Sequence, residues 1–237
     1  MIKTVQRTGA DMTATVTLPR GVNTTTVTLS TTVTTGTVAV DTRTGKVVRL
    51  SIPTTDGMLV KLDGSASLRL EDRSPSFIDT RGHWAQNAID FSAAHAMFNG
   101  TTIQTFSPDD TMTRAMLMAV LARFDGYDAT GSAWREQSMN WATARGISDG
   151  TDPDGSITRE QLATMLYRYA GSPAVSGSLS RFADRGETSG YAVDAMRWAV
   201  DTGLIDGVGG NRLNPGGDTT RAQVATILMR FCTNLTE

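Results

Sequence analysis

The chain has a single cysteine, Cys232, in 237 residues, so no internal disulfide can staple it. It has two histidines, His83 and His95, both in one stretch, which leaves no histidine metal cluster or catalytic triad recurring along the chain. Neither sign of charge dominates. With 22 Lys and Arg against 24 Asp and Glu, the formal net charge is −2, which argues against a nucleic-acid binder with a basic face. No apolar run approaches the roughly 20 residues that cross a bilayer, so no membrane insertion is expected. The opening stretch from Met1 to Arg7 has no apolar core of the secretory type, so a secreted protein is expected here in mature or trimmed form. Also missing are Gly-x-Ser-x-Gly, His-Glu-x-x-His and a phosphate-cradling glycine loop. No sequence signal sets two carboxylates across a cleft. The sequence therefore predicts no enzyme, no cofactor and no metal. Asp149, Asp152, Asp154 and Gly155 resemble part of a calcium loop, but the first ligand and the terminal Glu are out of register.

Residues 1–75 are dense in Thr and Val, which favour strands. Residues 13–18 alternate small or polar with apolar. The segments 46–50 and 57–62 read as two further strands. Turn signals at Gly21, Gly45, Gly57 and Gly64 separate them. Five to seven short strands predict a small Thr-rich β-sandwich or barrel, with a Thr-rich stalk as the alternative. After Pro75 Thr becomes sparser, all four Trp appear, and apolar residues recur at helical spacing.

Three copies of one pattern fill that second part. An aromatic pair seven residues apart opens each copy: Trp84 with Phe91, Trp134 with Trp141, Tyr191 with Trp198. Nine residues past the second aromatic stands Gly100, Gly150 or Gly207, each preceded by Asn or Asp. A Thr-Arg pair follows at Thr113-Arg114, Thr158-Arg159 and Thr220-Arg221, and nine residues later a basic residue at Arg123, Arg168 and Arg230. This predicts helix–loop–helix repeats, with the aromatic pair on one helix face in a shared core. The Asn/Asp-Gly step ends the first helix, and the Thr caps the second. Gln161 and Gln223 complete capping boxes, whereas copy one has Met116 at that place.

The three arginines are harder to explain as structure. A cation in the first helical turn opposes the macrodipole, at up to ~1 kcal/mol. Its recurrence predicts something anionic nearby. Helix-terminal N–H groups favour an anion, and a guanidinium beside them can grip a carboxylate. The competing expectation is an ion pair to the protein's own Asp79 or Asp184.

The ordered set resembles the S-layer homology family, whose repeat runs Phe-x-Asp, Trp-Ala, Gly-Ile-x-x-Gly, Phe-x-Pro-Asp, Thr-Arg-Ala-Glu. Copy one supplies Phe77, Asp79, Trp84, Phe106, Pro108, Thr113 and Arg114. Copy two supplies Gly146, Ile147, Gly150, Thr158 and Arg159, and copy three supplies Phe182, Asp184, Gly203, Gly207, Pro215, Thr220 and Arg221. The resemblance covers about two-thirds of the chain. It implies an all-α, pseudo-threefold trimer of repeats with grooves between neighbours. Such modules bind secondary cell-wall polysaccharide, often pyruvylated. By motif position Arg114, Arg159 and Arg221 would meet the acidic substituent. Asp79 and Asp184 would take hydroxyls or orient the arginines, and Trp84 and Trp134 would offer a ring to a sugar face. Gly100, Gly150 and Gly207 complete the candidate polysaccharide-binding set.

Copy two departs from the family pattern, with Tyr127 and Ala129 for Phe-x-Asp and a loop five residues shorter. Copy one has Ala96 where Gly146 and Gly203 stand in the others. One or two working grooves are therefore expected rather than three. The organisation expected is two separate domains of α+β class: 1–75 as a spacer or adhesin-like β domain, then repeats over 76–125, 126–171 and 172–237. The implied location is the cell wall or S-layer outside the cell, with self-association in a surface layer. Two alternatives stand beside it: a helical protein-interaction scaffold, and the accessory region of a surface glycan-active enzyme. Thr-Arg spacings of 45 and 62 residues fit the 34-residue tetratricopeptide period poorly.

Overall fold

The computed structural model describes residues 2–8 and 11–236. Seven strands come first: β1 (Ile2–Thr8), β2 (Asp11–Thr17), β3 (Thr25–Leu29), β4 (Thr37–Asp41), β5 (Ser51–Thr54), β6 (Gly57–Leu62) and β7 (Ala66–Asp72). They form two antiparallel sheets, β1-β2-β7-β4 and β3-β6-β5. Six α-helices follow among the described residues: α1 (Gln86–Ala94), α2 (Arg114–Phe124), α3 (Trp134–Ala144), α4 (Arg159–Tyr169), α5 (Val193–Asp201) and α6 (Arg221–Thr236). The chain thus has an N-terminal β part and a C-terminal helical part.

Period-two burial makes the sheets. Along β2, Met12, Ala14 and Val16 are buried while Thr13, Thr15 and Thr17 face water. Their apolar side chains join Val27, Leu29, Met58, Val60, Leu62 and Leu68 in one core drawn from both sheets. Pro53 is accommodated because β5 is an edge strand. The segment 46–50, expected as a strand, is not one; only Val47 forms a bridge, to Val40. The reason is a change of partner. Val48 N–H donates to Ala39 O in the first sheet, whereas Leu50 O accepts from Lys61 N–H in the second. A segment crossing between sheets cannot stay paired to either.

The chain divides into two compact units, one running to Phe106 and resuming at Phe231, the other covering Ser107–Arg230. The first holds both sheets and α1. There Ala94 shares a small core with Val38, Val40 and Val47. His95, just past α1, is buried against β5, with Nε2 at 3.0 Å from Ser51 Oγ and Nδ1 at 2.8 Å from Phe91 O.

In the second unit the tripeptides before the three Thr-Arg helices bond to one another in a closed ring. Met112 N–H donates to Thr219 O, Thr219 N–H to Ile157 O, and Ile157 N–H to Met112 O, at 2.8–3.1 Å. All three residues are buried. Three β-bridges flank the ring: Thr111 with Thr220, Thr113 with Ser156, Thr158 with Asp218. The helix stripes fold inward as their spacing predicts, burying Leu117, Leu121 and Phe124, then Leu162 and Leu166, then Val224 and Leu228. The aromatic pairs split instead of sharing a core. Phe91, Trp141 and Trp198 are buried, but Trp84 and Tyr191 are exposed, and Trp134 is half-buried. The first aromatic of each pair precedes its helix or opens it, so the seven-residue spacing is not two turns of one face.

Candidate functional site

The caps form as the motif predicts. Thr158 and Gln161 make a full capping box, and Thr220 with Gln223 makes both of its bonds. Thr113 accepts from Met116 N–H at 3.3 Å, and Met116 has no side chain to return the bond.

The first-turn N–H groups are not open to an anion. Arg114, Arg159 and Arg221 donate their backbone N–H to the carbonyls of Gly155, Gly217 and Asp110. The next residues, Ala115, Glu160 and Ala222, donate to Pro153, Pro215 and Pro108. Each helix start is therefore closed by the proline loop of another repeat, and an anion site must be built from side chains. These proline loops also explain the calcium-like run. Asp152 (φ +45°) occupies the place of Ser107 (φ +57°) and Asn214 (φ +52°), each before a proline. Asp154 pairs with Arg135. Among the described residues no His, Cys, Asp and Glu group could hold a metal.

The Arg114 and Arg159 side chains reach the glycine-bearing loop of the next repeat. Arg114 donates Nε to Thr151 O at 2.8 Å and Nη2 to Asp149 Oδ1 at 2.8 Å. Arg159 donates Nε to Leu213 O at 2.9 Å and Nη2 to Asp206 O at 2.6 Å. Burial lowers the Arg159 pKa, opposed by the charges of Asp206 and Asp184. Carbonyl dipoles and a carboxylate thus offset the unfavourable macrodipole. Arg221 is likewise buried.

The two candidate aspartates hold loops. Both oxygens of Asp79 accept Phe106 N–H, at 2.9 and 3.1 Å. Asp184, buried, accepts Leu213 N–H at 2.7 Å and Asn214 N–H at 2.8 Å. Burial pushes its carboxyl up, but those donors hold it below the usual range. Ala129 replaces this aspartate in copy two, and its carbonyl accepts the Arg123 guanidinium instead.

Around Arg114 the second unit has an open cavity of about 420 Å³, lined also by Ser148, Asp149, Thr151, Gln161, Thr164, Arg168 and Tyr191. Its lining comes from all three repeats. Glu160 holds Tyr191 in place: Oε1 accepts the Tyr191 hydroxyl at 3.2 Å and the Ser189 hydroxyl at 2.7 Å, and Oε2 accepts Ser189 N–H at 2.9 Å. Burial and the Glu160 charge raise the Tyr191 pKa, while Arg114 and Arg168 both pull against that rise. The site thus combines two guanidiniums, small polar side chains and one aromatic ring in a groove open to solvent. Of the residues expected, it gathers Arg114. Gly150 lies in the adjoining turn. Arg159 and Asp184 belong to the turn of the third repeat. Asp79 and Gly100 lie in the first unit, as does the exposed Trp84.

Sequence reasoning left Tyr191, Arg168, Gln161 and Thr164 off the site. Two of them carried a signal. Tyr191 stands where Trp84 and Trp134 stand in the other copies, and Arg168 is the basic residue that recurs nine positions past each arginine.

Comparison with known proteins agrees with this repeat structure. The family model described as S-layer homology domain matches residues 76–115, 127–163 and 181–225, together just over half of the chain. The chain is 26% identical over 174 residues to an amylopullulanase of Thermoanaerobacterium thermosulfurigenes, covering 65% of this chain and 9% of that protein. It is also 26% identical over 174 residues to Exoglucanase XynX of Acetivibrio thermocellus, covering 66% of this chain and 16% of the relative. With the Surface-layer 125 kDa protein of Lysinibacillus sphaericus it shares 24% identity over 172 residues, 64% of this chain and 14% of the other. The chain thus spans less than a fifth of the length of these relatives. Three matched repeats, one after another, place it in a family: the chain belongs to the S-layer homology family.

Proposed function

We propose that the chain is a cell-surface anchor that holds the protein it belongs to non-covalently on acidic secondary cell-wall polysaccharide. One observation carries this reading: the groove that sets Arg114 and Arg168 beside Gln161, Thr164 and Tyr191. Two guanidiniums suit a sugar-borne carboxylate such as a pyruvate ketal, small polar groups suit hydroxyls, and a ring held on edge by Glu160 suits a pyranose face. The hydrogen-bonded ring through Met112, Ile157 and Thr219 supports a pseudo-threefold arrangement of the repeats. Arg114, Arg159 and Arg221 are equivalent in that arrangement. Asp79 and Asp184 serve it by fixing the loops beside Gly100 and Gly207. The two sheets are read as a small sandwich acting as a spacer.

Relatives named as a surface-layer protein and a cell surface glycoprotein support the location. Amylopullulanase and exoglucanase are activities of the relatives so named. For this chain we propose holding rather than a reaction. No helix among the described residues is long and apolar enough to cross a membrane.

Co-sedimentation with purified Gram-positive walls tests the reading. Retention is expected on intact walls and loss after the acidic polymer is extracted. Equal retention on stripped peptidoglycan overturns it.

A further inference from the structure

The groove around Arg114 also contains an anion of its own. Asp149 Oδ1 accepts Arg114 Nη2 at 2.8 Å, Thr151 N–H at 3.0 Å and the Thr151 hydroxyl at 2.8 Å. All three of these bonds go to Oδ1 and none to Oδ2, and the carboxylate is 65% exposed where it lines the cavity. The Thr151 N–H and hydroxyl, more than Arg114, hold this carboxyl below the usual range, so it is charged at neutral pH. Arg114 therefore enters the groove with its charge already matched. Arg168 does not. It is exposed, it donates Nη1 only to the Ile147 carbonyl at 3.3 Å, and no carboxylate of the described residues pairs with it. Glu160 lies behind the Tyr191 hydroxyl with both oxygens engaged.

We propose that Arg168 is the residue that grips the acid of the bound saccharide, and that Asp149 restricts this groove to sugars carrying a single negative charge. The proposal rests on the polysaccharide reading above and sharpens it. Two guanidiniums and one carboxylate leave one positive charge on the lining, enough for one anionic group. A second anionic group on the ligand would meet Asp149 Oδ2, and like charges at close range repel. A hydroxyl or amide N–H at the same place finds an acceptor instead. A sugar with one carboxylate and neighbouring hydroxyls matches this arrangement; a sugar phosphate does not.

The test uses two probes that differ in charge: a glucose 4,6-pyruvate ketal, with one, and glucose 6-phosphate, with two at about pH 8. Their binding to the full chain is followed by NMR titration. Wild type is expected to prefer the ketal. Arg168→Gln should weaken the ketal roughly fivefold, and Arg168→Lys should recover most of the loss. Asp149→Asn should raise phosphate affinity relative to the ketal, again roughly fivefold. Asparagine is compatible with this turn, because Asn99 holds the equivalent position in the first repeat. Thermal melts of each variant separate unfolding from lost binding. If folded Arg168→Gln binds the ketal as wild type does, or Asp149→Asn leaves the ratio unchanged, the inference is overturned. It is also overturned if wild type fails to bind the ketal although intact walls still retain it. Failure of wall retention itself strikes the broader anchoring reading instead.

Discussion

Phe182 packs against Gly207 and, with the Arg212 carbonyl, leaves no room for a side chain there: a Cβ would stand 2.8 Å from that oxygen and 3.0 Å from Cε1 of Phe182. At Gly100 a Cβ would meet the Thr102 carbonyl oxygen at 2.3 Å and Cε1 of Phe77 at 2.6 Å. Copy two lacks the phenylalanine, and Gly150 there meets only a Thr143 methyl at 3.0 Å while adopting φ +75°. The repeated glycine thus answers to close approach in two copies and to backbone conformation in the third. Gly100→Ala and Gly207→Ala are expected to lose about 1–3 kcal/mol through overpacking. Gly150→Ala should lose about 1 kcal/mol through its left-handed backbone. Urea unfolding midpoints check the order, and a Gly150→Ala variant less stable than the other two would refute the distinction.

His95 makes stability depend on pH. Burial lowers its pKa to about 4, although the carbonyls of Phe91 and Ser51 favour the charged ring. In the unfolded chain the imidazole titrates near 6.5. Between those values the unfolded state takes up a proton that the folded state refuses. Stability is therefore complete above about pH 6.5 and declines as pH falls toward 4, by up to about 3 kcal/mol. Asp90 acts against this, because burial and the Asp72 charge raise its pKa. Denaturation of wild type and His95→Phe at about pH 7.5 and pH 4.5 measures the effect. The same slope in both proteins would assign it elsewhere.

Much of this architecture is legible in the residues. The three Thr-Arg pairs and their caps are local signals, and each forms where its spacing puts it. The Asn/Asp-Gly steps do not end the first helices as expected: these stop at Ala94, Ala144 and Asp201, and the chain turns at Ala96, Gly146 and Gly203, which take positive φ. What eluded reading depends on partners far along the chain. Met112, Ile157 and Thr219 recur just before each Thr-Arg pair, but a hydrogen-bonded ring of one residue per repeat shows no strand-like alternation, so its pairing is not legible. The segment 46–50 has strand composition, yet its carbonyl and N–H partners lie in different sheets. The site divides in the same way. Arg114 announces itself by recurrence against the macrodipole, whereas Tyr191 joins the groove only because Ser189 and Glu160 bring the third repeat over the second.

Arg159 ties two repeats together. Its guanidinium donates to Leu213 O and Asp206 O, and the side chain is buried. Removing it strips a charged donor from two carbonyls, which typically costs about 2–3 kcal/mol. Arg159→Ala is therefore expected to lower the unfolding midpoint and weaken wall retention together, and Arg159→Lys should restore little, since an ammonium cannot span both carbonyls as a fork. Unchanged stability with lost retention would instead make this arginine a ligand contact alone.

Met116 is the one place where the repeat's own logic recommends a better residue. It stands at the third position of α2, where Gln161 and Gln223 return a bond to the backbone N–H of Thr158 and Thr220. Methionine leaves the Thr113 N–H without that partner, and the side chain is 36% exposed, so little packing is at stake. Met116→Gln should complete the box and stabilise the protein by about 0.5–1 kcal/mol. Thermal unfolding reads the gain directly, and a Met116→Leu control should show none, because leucine matches methionine in helix propensity but offers the Thr113 N–H no acceptor. An equal gain from Met116→Leu would point to helix propensity rather than capping.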